Sequence, residues 1–156
     1  MIRAQGYPQA FSGVSGTDVH WIADKVGENK ELVVLAPWTS YMQGSIDLVN
    51  VPAKFAAAGA RVALTPASDS ADALQSFRFQ VAELVKAGMK RGDAIAALTK
   101  HAAEAIGAGA QLGTLEPGKE ANLIVLTADP LDAQATLDQV LVGGRVAWTR
   151  GPKARS

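Results

Sequence analysis

The sequence contains no cysteine. That excludes a disulfide framework, a thiolate zinc site and a Cys nucleophile together. Histidine is nearly as scarce, with only His20 and His101. Aromatic residues make up 6% of the chain, which favours close helix-on-sheet packing by Ala, Val and Leu over an aromatic-rich sandwich. Neither sign of charge is in surplus, since Lys plus Arg and Asp plus Glu are 15 each. Nucleic-acid binding therefore has no electrostatic support. No apolar run reaches the roughly 20 residues of a membrane span. The opening Met1-Ile-Arg-Ala-Gln-Gly6 also lacks the apolar stretch of a secretory signal. A protein that binds neither membrane nor nucleic acid, in the cytoplasm, is the expectation.

What is present is a globular composition, 48% hydrophobic and 19% charged over 156 residues, enough for one domain. Residues 1–16 carry Gly6, Pro8, Gly13 and Gly16 without a sustained period and read as a loose segment. Ser15 or Thr17 then caps a helix, with Asp18 in its first turn and Val19, Ile22, Ala23 and Val26 on one apolar face. Glu31–Ala36 is a buried strand by composition, stopped by Pro37. Trp38 to Asp47 reads as a loop long enough to be functional.

Pro52 suits the start of a helix and Gly59 its end. Arg61–Thr65 is a second strand, so that strand, helix and strand form a parallel βαβ unit. Two amphipathic helices follow. The first has the stripe Leu74, Phe77, Val81, Leu84, Val85 and ends at Gly88; the second has Ile95, Leu98, Ala102, Ala105, Ile106 and ends at Gly107. Both stripes read as core. The tail is β: Asn122–Thr127, Gln139–Val142 and Arg145–Trp148, with Gly143-Gly144 as a two-residue hairpin turn. The positive charges Arg145, Arg150, Lys153 and Arg155 read as a solvated end.

Several of these segments together resemble the C-terminal part of the amidohydrolase superfamily, in particular its imidazolonepropionase-like metal-dependent hydrolases. They are Gly113-Thr-Leu-Glu-Pro-Gly118-Lys119-Glu-Ala121-Asn122-Leu-Ile-Val-Leu126, Asp129-Pro130-Leu131 and Val142-Gly143-Gly144-Arg145-Val146. Upstream, Ala60–Leu64 resembles the family's last barrel strand and Ser68-Asp69-Ser70 its strand-end T/S-D-S. Val85–Met89, Ala94–Thr99 and Ala102–Gly107 resemble the two helices that follow. The resemblance covers roughly residues 31–150. It implies an α/β fold: partial (β/α) barrel-type βαβ units, two helices and a small C-terminal β-hairpin or sheet. The expected organisation is a barrel-like region over residues 1–110, the C-terminal β segment of a composite domain over 111–150, and a basic tail over 151–156.

The resemblance also implies chemistry. Full-length members hydrolyse C–N bonds with zinc or a similar divalent metal, held by a His-x-His pair, two further His and an Asp after the last strand. Such a metal lowers the pKa of a bound water to about 7 and polarises the scissile carbonyl. Asp69 matches the family's catalytic Asp, with Asp72 as its substitute because Pro66 and Ala67 lengthen the connection. The competing reading is that Ser68 or Asp69 simply caps the following helix.

The histidines do not supply the rest of a site. A zinc site wants about three protein ligands, and no cofactor is expected in this chain. His20 stands four residues before Asp24 and reads as a surface pair. His101 takes the place of Asn in the family's Thr-x-Asn-x-Ala and reads as structural, as does Asn122 where members have Asp. Serine hydrolysis fares no better, because Gly13-Val-Ser15-Gly16 and Gly44-Ser45 lack the Gly-x-Ser-x-Gly elbow.

The expectation is a C-terminal fragment of an amidohydrolase-like enzyme, inactive alone; a free-standing, non-catalytic scaffold or interaction module is the alternative. The substrate is not legible. Two parallel strands would leave unpaired edges, so a homodimer is expected, through strand pairing or exchange of the β tail.

Overall fold

A computed structural model describes residues 11–13, 19–41 and 46–151. The expected cap at Ser15 or Thr17 with Asp18, and the tail charges Lys153 and Arg155, lie outside the described residues, as does the side chain of His20.

The described residues build two three-stranded β layers and a short two-stranded hairpin. In the first, β1 (Phe11–Gly13), β2 (Leu32–Leu35) and β5 (Arg61–Leu64) run parallel in the order β1-β2-β5. Leu32 pairs with Phe11 on one side and Arg61 on the other. Phe11–Gly13 is thus a strand, where the sequence reads as irregular. Three residues containing a glycine show no period, and the strand exists only through its ladder to β2. It also covers the outer edge of β2 that the two-strand reading leaves open.

A 3-10 turn (Val19–Ile22) and α1 (Ala23–Glu28) connect β1 to β2. Between β2 and β5 lies a hairpin of β3 (Thr39–Tyr41) and β4 (Leu48–Asn50), then α2 (Val51–Ala57). The Trp38–Asp47 segment is therefore not a simple loop: its first part is paired, with Tyr41 opposite Leu48. Asn50 caps α2, its Oδ1 accepting from the Ala53 N–H at 3.1 Å. Its Nδ2 donates to Leu84 O at 2.7 Å and Ala87 O at 3.2 Å. One side chain so ties the start of α2 to the end of α3 (Ala71–Lys86). Gly27 lets α1 meet the end of α2, since a Cβ there would sit 2.1 Å from Ala58 O.

Three helices follow β5, one more than expected. After α3, the segment 91–105 splits into α4 (Arg91–Leu98) and α5 (Lys100–Ala105). Thr99 breaks it, at φ −125° and ψ −85°, with its hydroxyl bonded back to Ile95 O at 2.8 Å. The break shifts the helical phase. Ala94, Ala97 and Ala103 become the buried positions, and Ile106 of the expected stripe is exposed. Leu74, at the start of the α3 stripe, is exposed as well. The core joins Val33, Leu35, Val62 and Leu64 of the parallel sheet to Phe55, Val81, Leu84 and Met89.

The second layer is antiparallel, β6 (Leu123–Leu126), β7 (Leu137–Val142) and β8 (Arg145–Thr149) in that order. Gly143 and Gly144 both have positive φ, 55° and 76°, as a two-residue turn of this hand requires. Arg150 is not free in solvent: its guanidinium donates to Leu137 O.

Candidate functional site

β2 and β5 are adjacent and parallel, so the segments leaving their C-terminal ends emerge along one edge of the sheet. These are 36–50, with the β3–β4 hairpin, and 65–70, with Ser68-Asp69-Ser70. The hairpin turns Val49 and the buried Ser40 inward, while Tyr41 and Leu48 face outward. Open α/β sheets place their ligand sites at this kind of edge.

Ser70, rather than Ser68 or Asp69, caps α3: its hydroxyl accepts from the Ala73 N–H at 3.2 Å and lies 3.0 Å from Ser68 Oγ. Asp69 is left exposed in the connecting turn, without a hydrogen bond or ion pair among the described residues. Asp72 is exposed in the first turn of α3. Both carboxylates are available, and neither is prearranged by a neighbour.

His101 stands elsewhere. It projects from α5 to the middle of β5, where Nδ1 lies 2.9 Å from Val62 O. The Arg61 N–H bonds to Glu31 O and the Thr65 N–H to Leu35 O. The odd residues of β5 therefore face β2, and Val62 faces the other edge. His101 closes part of that edge, and the bond requires its proton on Nδ1.

The structure thus does not join Asp69 to His101. Among the described residues no three His, Asp or Glu side chains are grouped to hold a metal ion. The described donor set does not fit the family's metal centre: His101 is held by a backbone carbonyl, and among the described residues no imidazole stands beside the candidate carboxylates.

The remaining motif residues hold the framework. Lys119 donates to Gly109 O at 2.8 Å and Thr114 Oγ1 at 2.6 Å. Asn122 Oδ1 accepts from the Gly143 N–H at 2.8 Å, tying the Ala-Asn segment to the Gly-Gly turn. Arg78 of α3 donates to the carbonyls of Pro130, Asp132 and Ala135. Sequence reasoning passed over Arg78, because its partners lie more than fifty residues downstream. Asp129 accepts from the Leu131 N–H at 2.9 Å and pairs with Arg91. The backbone N–H of Leu131, with the Arg91 guanidinium adding to it, lowers the Asp129 pKa below 3.8. A groove of about 660 Å³ runs between α4, α5 and β6, lined mainly by apolar side chains.

Comparison with known proteins agrees with this architecture. The amidohydrolase family model matches residues 45–148, while no curated protein matches. Among solved structures, the chain is similar to an amidohydrolase from Thermotoga maritima at 26% identity and a TM-score of 0.74, covering 90% of this chain and 37% of that one. An adenosine deaminase from Xanthomonas campestris with bound zinc shares the fold at 18% identity and a TM-score of 0.64, over 89% of this chain and 37% of the other. The guanine deaminase of E. coli does so at 19% identity and a TM-score of 0.51, over 83% and 36%. The chain spans well under half the length of these proteins. The family model takes in the last parallel strand with Ser68-Asp69-Ser70, the helices that follow it and nearly all of the C-terminal antiparallel sheet, and that match over more than half of the sequence places this chain in the amidohydrolase family.

Proposed function

We propose that the chain contributes one sector of an amidohydrolase-like hydrolase of a C–N bond other than a peptide bond, and does not perform that hydrolysis by itself. The observation that carries this reading is the separation of its candidate groups. Asp69, or Asp72 in its place, stands at the C-terminal edge of the parallel sheet, while His101 is held at mid-strand by Val62. A carboxylate can take a proton from an attacking water only if that water is held and activated beside it. No group that could do so stands beside it among the described residues, and on this reading the groups come from outside the sector.

The test is metal analysis of the chain purified without added metal, together with amidase, deaminase and dipeptidase assays. We expect less than one zinc per chain, no activity above background, and no change in either on Asp69→Asn. One tightly bound zinc per chain, with hydrolysis lost on its removal, would overturn the reading. The same donor set suits a non-catalytic scaffold. The coding sequence upstream of Met1 separates the two: an in-frame strand ending in His-x-His supports the enzyme sector, and a clean independent start supports the scaffold.

A further inference from the structure

We draw no further inference here: the strongest candidate, the apolar groove of about 660 Å³ between α4, α5 and β6, carries nothing because no feature of the structure shows what covers it.

Discussion

The nitrogen of His101 that meets Val62 O is Nδ1, two bonds beyond Cβ. The side-chain nitrogen of asparagine lies at the same reach. The Asn that the family carries here can therefore make the same bond, and His101→Asn should change stability by no more than about half a kcal/mol. His101→Ala removes the donor and leaves a part-buried carbonyl facing the strand edge, so it should cost about 1 kcal/mol. Urea midpoints of the three proteins check both; equal midpoints for all would show that the bond carries no weight. That His101 is structural could be read from the lack of ligand partners in the sequence. Its partner could not, because Val62 lies 39 residues upstream and only the packing of α5 on β5 brings them together. Asp69 is the reverse case: its motif is plain in the sequence, yet among the described residues no hydrogen bond or ion pair holds its carboxylate.

Elements with a long period or a strong terminator were legible, and those of three residues were not. β2 and β5 are runs of β-branched and apolar residues, and Gly59 and Gly88 end their helices at φ of 100° and 99°. β1 and the β3–β4 hairpin are too short to show alternation and depend on their neighbours for pairing. The 129–135 loop is held partly by charge, and this gives a pH dependence. The folded state lowers the pKa of Asp129 below 3.8, chiefly through the Leu131 N–H and then through Arg91. The contribution is fully present above 3.8 and is lost as pH falls through the folded value. Asp129→Asn should therefore lower the urea midpoint near neutral pH, and the gap to the unsubstituted protein should close as the pH falls through the lowered Asp129 value and both forms become uncharged. A gap of constant size would show that the Asp129 charge plays no part.

For the molecule as a whole, Arg78 links the two β layers. Its guanidinium holds three carbonyls of the segment that leads into β7, where Ala135 is buried and Leu131 packs on the main core. Arg78→Ala should cost about 2 kcal/mol, and Arg78→Lys should not restore it, since a single ammonium cannot span the three acceptors. Full recovery by Lys in urea denaturation would refute the role of the fork. The sequence by itself determined the class of fold, the order of its main elements, the Gly-Gly hairpin and the family, because periodicity, terminators and turn chemistry act over a few residues. Only the tertiary structure decided that Phe11–Gly13 completes the parallel sheet, that Thr99 splits the last helix, that Ser70 caps α3 and that His101 and Arg78 bind distant carbonyls. Each of these depends on groups far apart in the chain, whose meeting is set by which faces pack together.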